Sequence, residues 1–271
     1  MFQHFLITRF NLKLAEWQTT KHGEGVNSEK WLAERFKLFH TYCLPSIKQQ
    51  INQDFKWLVC FDFKTPQNFK VEIAKITNSF PNFIPIFIHE SEDFLIRIKN
   101  EIATFLEPET SHIITTRLDN DDALHKLFIK TIQDNFEAKD LLIVDINEGF
   151  QLILNTKKQI LRQMVAFYNP FLSLVESKTN FQTILNKPHL DWHTTPTIII
   201  ENTPLWMQII HDQNISNAEK LSFPETNKCD FEAFGLKIIP NLKTDWKITL
   251  SRLSDLYKRL LIKLKIVSLP H

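Results

Sequence analysis

An acidic stretch in the middle of the chain places the strongest constraint on its fold. Residues 116–123 read Thr-Arg-Leu-Asp-Asn-Asp-Asp-Ala, and they end an apolar, β-branched run that starts at Ile113 and predicts a buried strand. The apolar residues that follow have the spacing of one helix face: Leu124, Leu127, Phe128 and Ile132. Three carboxylates are therefore expected at the carboxyl end of a strand beside a helix start, where open α/β sheets bind ligands.

The carboxylates of Asp119, Asp121 and Asp122 repel one another unless a cation or water takes up their charge. A hard divalent ion, Mg²⁺ or Mn²⁺, suits such oxygen ligands and commonly holds substrate phosphates as well. Helix capping is the competing explanation, but it accounts for one or two acidic residues and not for the whole cluster. A calcium-binding EF-hand is excluded, because the sixth position counted from Asp119 is Leu124 rather than glycine.

Glycine is scarce in this chain, and its scarcity excludes two phosphate-binding loops. The only four glycines are Gly23, Gly25, Gly149 and Gly235, so neither a dinucleotide-binding GxGxxG loop nor a Walker loop is present. A bound phosphate would then be held by a metal ion and side chains rather than by a glycine-rich loop. This expectation directs attention back to the acidic stretch.

Length, charge and cysteine content set the broad class. A chain of 271 residues suits one large α/β domain with an appendage, and a net charge of +1 gives no indication of nucleic-acid binding. The three cysteines are far apart and odd in number, which predicts neither a disulfide framework nor a metal motif. No signal peptide and no apolar run long enough for a membrane span are recognisable, so we expect a cytoplasmic protein.

Strands and helices alternate through the first half of the sequence. The pattern predicts strands near 5–10, 57–61, 83–88, 113–116 and 141–144, with helices near 32–43, 67–79, 92–106 and 123–136. Such alternation predicts βαβ units and a largely parallel sheet. Residues 145–149 then turn into an apolar run at 150–154, which predicts an antiparallel hairpin and therefore a mixed sheet. A strand near 206–210 closes this part of the chain.

The C-terminal tail has a different character. Its apolar residues recur three and four positions apart, which predicts an amphipathic helix: Leu250, Leu253, Tyr257, Leu260 and Leu264. Residues 243–265 contain seven basic residues and two acidic ones. The helix either docks on the domain with its basic face in solvent, or it lies peripherally on an anionic membrane surface, the inner face of the plasma membrane.

Four sequence blocks, in this order, resemble GT-A glycosyltransferases and, more narrowly, the bacterial family of predicted rhamnosyltransferases. They are residues 4–10, residues 45–47 with 57–59, residues 116–123, and residues 204–208 continuing through His211 and Asn214. The resemblance implies a GT-A-like nucleotide-diphospho-sugar transferase fold, an α/β domain with a mostly parallel mixed sheet flanked by helices. That catalytic domain would span residues 1–217, and residues 218–271 would form a C-terminal extension with the basic amphipathic helix.

The same resemblance implies which residues hold the sugar nucleotide. Thr8, Arg9, Phe10 and Asp62 would contact base and ribose, and a carboxylate suits the imide N–H of uracil or thymine because it only accepts hydrogen bonds. Arg117 would pair with the diphosphate. Two alternatives remain open from the residues themselves: Asp62 as a turn residue at a strand end, and Arg117 as a salt-bridge partner of the neighbouring aspartates.

Asp119 and Asp121 match the DxD positions of the family. By that resemblance Asp121 would bind the metal, and Asp119 would bind either the metal or the ribose. His211 would be an additional metal ligand, and its imidazole would favour Mn²⁺ over Mg²⁺. A lone histidine is more often structural, so this assignment competes with an ordinary buried histidine.

The chemistry requires a general base as well as a metal. Breaking a sugar–diphosphate bond builds negative charge on the leaving phosphate, and an inverting enzyme places a carboxylate near the acceptor hydroxyl. Asp191, which lies beside His189 and the aromatic Trp192, is the first candidate, and Glu176 is the second; either could be an ordinary acidic residue. The acceptor would be a glycan or lipid-linked glycan of a bacterial surface polysaccharide. The family's name suggests a rhamnose donor.

Two other classes of function fit the same carboxylates. One is a metal-dependent nucleotidyltransferase, which would release pyrophosphate rather than a nucleoside diphosphate. The other is a non-catalytic protein that binds a sugar nucleotide or a glycan on the same fold, although the complete acidic set argues against it.

Overall fold

The computed structural model describes residues 1–12, 28–90, 92–154, 159–212, 214, 218–237 and 239–263 of the 271. Leu264, the last residue of the predicted amphipathic stripe, lies outside this part of the chain. At 258, 259 and 261–263 only the helical backbone is described.

The described residues form strands and helices in alternation. The strands are β1 (Phe2–Arg9), β2 (Lys56–Asp62), β3 (Phe83–Ile88), β4 (His112–Arg117), β5 (Ala123–Leu124), β6 (Leu142–Ile146), β7 (Glu148–Ile153), β8 (Ile160–Val165), β9 (Ser173–Ser177), β10 (Thr197–Ile200), β11 (Trp206–Ile210) and β12 (Glu225–Thr226). The helices are α1 (Glu29–Leu38), α2 (Leu44–Lys48), α3 (Gln67–Ser79), α4 (Phe94–Thr104), α5 (Phe128–Asp134) and α6 (Asp245–Lys263). A π-helical turn, Phe39–Cys43, joins α1 to α2.

The main sheet has seven strands in the order β10-β6-β9-β4-β1-β2-β3. All neighbours pair in parallel except β9, which runs antiparallel to both β4 and β6. Strand β1 is apolar on both faces, with Leu6 packed in one core cluster and Phe5 and Ile7 in another, as expected for a strand covered on both sides. The predicted α/β class with a mostly parallel mixed sheet is confirmed.

A second sheet, in the order β12-β8-β7-β11-β5, corrects the predicted hairpin. Strands β6 and β7 are separated by Asn147 alone, yet they belong to different sheets. β7 pairs antiparallel with β8 and parallel with β11, and these longer-range partners override the local turn signal. At Gly149 a Cβ atom would lie 2.1 Å from the Trp206 ring, so this close approach of the two strands requires glycine.

The structure also corrects the helix predicted at 123–136. Ala123 and Leu124 pair with Met207 and Trp206 of β11, so they form β5 rather than a helical turn. The helix itself begins only at Phe128. The acidic stretch therefore links the two sheets and does not start a helix, which removes helix capping as its explanation.

Helix α6 docks on the second sheet through polar side chains. The guanidinium of the buried Arg162 lies 2.6 Å from a Glu219 carboxylate oxygen and 2.7 Å from one of Asp255 in α6. Arg252 donates two hydrogen bonds, of 2.9 and 2.6 Å, to the carbonyl of Glu225 in β12. The prediction of a docked helix with its basic face in solvent holds for the described side chains, since Lys247 and Arg252 are exposed, but an apolar stripe of the helix is exposed as well. None of the helices in the described ranges combines the length and apolar character needed to span a bilayer.

Candidate active site

The acidic turn lies where the parallel strands β1, β2 and β4 end. The backbone N–H of Leu118 donates to Ile7 O of β1 at 3.0 Å, and the Asn120 amide donates to the carbonyls of Phe10 at 2.7 Å and Arg9 at 3.2 Å. These bonds tie residues 118–120 to the end of β1. The turn is therefore held at the carboxyl edge of the main sheet, which is the edge where α/β proteins bind ligands.

Asp121 is the centre of a buried polar cluster. Its Oδ2 atom accepts from Arg35 Nη1 at 2.6 Å, from His211 Nε2 at 2.8 Å and from Asn214 Nδ2 at 3.3 Å. Arg35 comes from α1, while His211 and Asn214 follow β11, so three distant parts of the chain meet on one carboxylate. Asn120 accepts a further bond from Arg35 Nη1 at 3.3 Å.

The cluster keeps Asp121 ionised. Burial acts to raise the pKa of the Asp121 carboxyl, but the charge of Arg35 and the hydrogen bonds from His211 and Arg35 outweigh it, and the pKa lies below its usual range. An ionised carboxylate with a fixed orientation is what a cation or a phosphate-bound metal requires of its ligand.

Asp122, the next residue, has the opposite character. Its Oδ1 atom accepts from the backbone N–H of Ile209 at 2.8 Å, and its Oδ2 atom has no hydrogen-bond partner among the described residues. Burial, together with the negative charges of Asp121 and Asp119, raises the pKa of Asp122 well above its usual value. Asp122 therefore stays protonated and neutral while Asp121 is charged.

Asp119 and Arg117 form an ion pair at the mouth of the cluster. Arg117 Nη2 lies 3.1 Å from Asp119 Oδ2, and the Asp119 side chain is 29% exposed. Arg117 thus adopts the salt-bridge alternative. The Asp119 carboxylate pairs with Arg117 and is partly accessible to solvent, whereas the Asp121 carboxylate is buried.

The predicted metal ligands are brought together only in part. Within the described part of the chain, no three His, Cys, Asp or Glu side chains are arranged to hold a metal ion. Asp121 Oδ2 and His211 Nε2, however, are 2.8 Å apart, close to the roughly 3 Å that separates two neighbouring ligands of an octahedral ion with bonds near 2.1 Å. A carboxylate and an imidazole at this spacing fit two ligand positions of such an ion, provided that Nε2 of His211 releases the proton it donates to Asp121. Substrate phosphates and water commonly supply the others.

Two of the predicted donor contacts are corrected. The Thr8 side chain is fully buried and accepts a 2.9 Å hydrogen bond from Trp57 Nε1. The Phe10 ring packs among other aromatic rings, with its centroid 4.6 Å from that of Phe36 and 4.8 Å from that of Phe61. Because the apolar core takes up both side chains, neither can contact a base or ribose.

Arg9 and Asp62 remain at the sheet edge. Arg9 is partly buried at the end of β1. Asp62 ends β2, and its Oδ1 atom accepts from the backbone N–H of Lys64 at 2.6 Å, which is the turn-residue alternative. The Asn11 amide oxygen accepts from the Asp62 N–H at 3.2 Å and fixes this turn against the end of β1.

The two candidate bases lie near opposite ends of the strands of the main sheet: Glu176 at the amino end and Asp191 toward the carboxyl end. Glu176 is paired with Ile113 at the amino end of β4, and its carboxylate accepts from the backbone N–H groups of Gln182 at 2.7 Å and Thr183 at 2.9 Å. It therefore holds a buried turn away from the acidic cluster, and its assignment as a base is corrected. Asp191 is exposed on a 3₁₀ helix, His189–Thr194, near the mouth.

His189 links Asp191 to the acidic cluster. Burial is the main cause that lowers the pKa of His189, and the charges of Arg117, Asp119 and Asp191 all act on its ring. The ring also makes a short contact with the carbonyl of Tyr168. Trp192, the aromatic neighbour of Asp191, is buried and donates to Ile184 O at 3.2 Å. Tyr168 is the partly exposed aromatic side chain at this position.

Tyr168 is held in an unusual conformation by Asp145. Its φ is 50°, a left-handed value that few non-glycine residues adopt. Asp145, in β6, accepts from the Tyr168 N–H at 2.7 Å and from the Asn169 amide at 2.8 Å. Burial raises the pKa of Asp145 to about 6, although both hydrogen bonds oppose the shift. The carboxyl group therefore titrates near neutrality within a strained turn beside His189.

This titration should be visible in the stability of the protein. Because the pKa of Asp145 is higher in the folded state than its ordinary value, folding takes up a proton, and the stability contributed by Asp145 falls as pH rises from about 4 through about 6. Between pH 4 and 7, we expect the free energy of unfolding of the Asp145→Asn variant to fall by about 3 kcal/mol less than that of wild type. Urea unfolding of both proteins across this range measures the difference. Parallel curves would contradict the assignment.

Arg35 is the residue that sequence reasoning missed. It follows Leu32 by three positions in α1, so it shares the helix face that carries Trp31, Leu32 and Phe36 into the core. A single arginine on an otherwise apolar face requires a buried partner, and the acidic stretch is the obvious one. The sequence therefore showed that Arg35 needs a buried partner. It did not show which residue is that partner, because Asp121 is 86 residues further along the chain.

Comparisons with known proteins give one match that spans most of the chain. The model of a family described as "Putative rhamnosyl transferase" matches residues 3–222. No curated protein matches the chain.

Several solved structures are similar at low identity. S. aureus TarS 1-349 is 11% identical with a TM-score of 0.42; the alignment covers 76% of this chain and 60% of that one, less than two thirds of its length. A "putative nucleotide-diphospho-sugar transferase" from Desulfovibrio desulfuricans G20 is 8% identical with a TM-score of 0.35, covering 78% and 82%. The 4-diphosphocytidyl-2C-methyl-D-erythritol synthase of Anaerococcus prevotii DSM 20548 is 10% identical with a TM-score of 0.33, covering 73% and 88%.

Proposed function

The chain belongs to this rhamnosyl transferase family, and from that premise we propose that it is a glycosyltransferase. It would move a sugar from a nucleoside-diphosphate donor to a glycan acceptor, using a divalent metal and inverting the anomeric carbon. The observation that carries the proposal is the ionised Asp121 beside His211 at the carboxyl edge of the main sheet. We propose rhamnose as the sugar, in line with the description of the family. The acceptor we propose is a lipid-linked or free glycan of a bacterial surface polysaccharide, reached from the cytoplasm.

Asp121 and His211 would hold the metal ion, Mn²⁺ or Mg²⁺, with imidazole favouring Mn²⁺. When bound, such an ion acts as a Lewis acid that offsets the negative charge on the leaving diphosphate. Arg35 is a positioning residue in this proposal, because its guanidinium, 2.6 Å from Asp121 Oδ2, keeps that carboxylate ionised and oriented. Asp122 is not assigned as a ligand, because its Oδ1 atom already accepts a hydrogen bond from the backbone N–H of Ile209 at 2.8 Å.

The remaining donor contacts would come from the edge of the sheet. Arg117 is placed to exchange its ion pair with Asp119 for one with the diphosphate, because both side chains are partly exposed. Asp119, once released, would accept a hydrogen bond from a ribose hydroxyl. Arg9 and the second carboxylate oxygen of Asp62, which end β1 and β2, would contact the base and ribose of the donor.

Asp191 would serve as the general base. As an exposed carboxylate near the mouth, it could accept the proton of the acceptor hydroxyl while that oxygen attacks the anomeric carbon. The bond from this carbon to the diphosphate oxygen breaks, and its electron pair leaves with the nucleoside diphosphate. His189, whose pKa is lowered mainly by burial, is near enough to Asp191, Arg117 and Asp119 for their charges to act on its ring, and it would position the acceptor.

The products distinguish this function from its rivals. Purified protein is first screened by thermal shift against nucleotide sugars with and without Mn²⁺, because a ligand that binds only the native state raises the melting temperature. The binding donor is then supplied with an acceptor glycan. We expect a nucleoside diphosphate and a glycosylated acceptor, lost on chelation and restored by Mn²⁺. Pyrophosphate as product would indicate nucleotidyl transfer instead, and binding without turnover would indicate a non-catalytic binding protein.

A further inference from the structure

Helix α6 exposes its apolar face instead of burying it. Successive members of this face lie three or four positions apart, so they form one stripe along the helix. Each is exposed over half or more of its surface: Trp246, Leu250, Leu253, Tyr257 and Leu260. Leu256, 52% exposed, widens the stripe at its centre. A stripe of large apolar side chains on one face is more than the scattered exposure of an ordinary surface.

The opposite side of α6 holds the helix on the domain. Asp255 pairs with the buried Arg162, Arg252 bonds to the backbone of β12, and Ile248 is buried. Lys243, just before the helix, pairs with Glu225 at 3.0 Å. Since these polar contacts fix the orientation of the helix, the apolar stripe faces away from the rest of the described chain.

The charges on α6 indicate what would cover the stripe. Lys247 stands at its edge, with Nζ 5.1 Å from the Trp246 ring centroid. From Asp245 to Lys263 the helix has five basic residues and two acidic ones, and one of the acidic ones, Asp255, is neutralised by Arg162. A second copy packed as a coiled coil would need opposite charges beside the stripe. The described positions there carry no acidic residue: Lys247, Thr249, Ser254 and Leu256.

We propose that the α6 stripe lies on an anionic lipid bilayer, with its leucines among the acyl chains and Trp246 and Tyr257 at the headgroup level. Aromatic and leucine side chains on one face, with lysine and arginine beside them, are the composition of an interfacial helix. Each basic residue near such a surface strengthens binding about fivefold. The catalytic edge would then work beside a membrane, where lipid-linked acceptors are found. The inference does not depend on the proposed transfer reaction.

Vesicle co-sedimentation of the full chain tests this surface. The test variant is Leu250→Glu with Leu253→Glu, and both positions are exposed, so the fold does not depend on them. The matched control is Ile96→Glu with Val71→Glu, which makes the same charge change at two exposed apolar positions of α4 and α3. Vesicles are made of phosphatidylcholine alone or with phosphatidylglycerol, and thermal melting confirms that each variant is folded.

The wild type and the control should bind the anionic vesicles, and the leucine variant should bind at least about 100-fold more weakly. Lys247→Gln should bind about fivefold more weakly than wild type. Equal binding by the leucine variant and the control would overturn the proposal, as would equal binding of the wild type to neutral vesicles. A dimer seen by light scattering, and abolished by the leucine variant, would assign the stripe to a second copy and overturn it as well.

Discussion

Asp121→Asn should lower kcat by about 10³-fold or more, the largest effect expected from a single substitution in this protein. The asparagine keeps the size of the side chain and removes the charge that Arg35 and His211 surround. With that charge gone, the site would lose its affinity for a divalent ion and the stabilisation of the leaving diphosphate, which is worth several kcal/mol. Steady-state assay with saturating donor, acceptor and Mn²⁺ measures the loss.

Asp122→Asn is the matched control for this prediction. It makes the same chemical change one residue further along, but Asp122 is already neutral because burial and its acidic neighbours raise its pKa. We expect kcat to stay within about threefold of wild type, since the charge of the site does not change. Equal losses in the two variants would show that the acidic stretch acts through its fold and not through the charge of Asp121.

A second variant separates catalysis from folding. Asp121→Asn alone leaves the buried guanidinium of Arg35 without its carboxylate, and breaking a buried pair in this way costs about 3–5 kcal/mol. Combining it with Arg35→Met removes both charges and should restore most of that stability, because replacing a whole buried pair is close to neutral. The double variant should nevertheless stay about 10³-fold slower than wild type. Recovered turnover would remove Asp121 from the mechanism.

Local sequence patterns predicted the outer parts of the fold well. Helix α3 begins and ends at the predicted residues 67 and 79, and β3 does so at 83 and 88, because each is set by its own apolar periodicity and flanking proline or polar residues. The predicted hairpin at 145–154 failed for the opposite reason. The partners of β7 are β8 and β11, and the second of these lies more than 50 residues away.

The candidate site shows the same division between local and distant information. The turn at 119–122 and the late His211 were identifiable from the sequence blocks, and the structure brings Asp121 and His211 together. The sequence did not predict that each of the three carboxylates has a different partner and a different degree of burial. Asp119 pairs with Arg117 where both are partly exposed, Asp121 pairs with Arg35 in the interior, and Asp122 accepts from a backbone N–H of β11. These partners come from strand pairing and helix packing, which no short window contains.

Asp191→Asn should lower kcat by about 10²–10⁴-fold while leaving the KM for the donor close to its wild-type value. The general base takes the acceptor proton only as the new bond forms, so its loss affects the transition state and not donor binding. The exposed position of Asp191 predicts little change in stability. Thermal shift with the donor should therefore match wild type.

Glu176→Gln provides the contrast, because Glu176 was the other acidic candidate and the structure places it at the amino edge of the sheet. Its two carboxylate oxygens accept from the backbone N–H groups of Gln182 and Thr183, and the latter residue has a left-handed φ of 79°. Glutamine offers only one accepting oxygen, so the variant should lose about 1–3 kcal/mol of stability while kcat of the folded protein stays unchanged. If Glu176→Gln instead slowed turnover and Asp191→Asn did not, the base would have to reach the acceptor from the other edge of the sheet. The shared ligand edge of β1, β2 and β4 would then be the wrong location for the reaction.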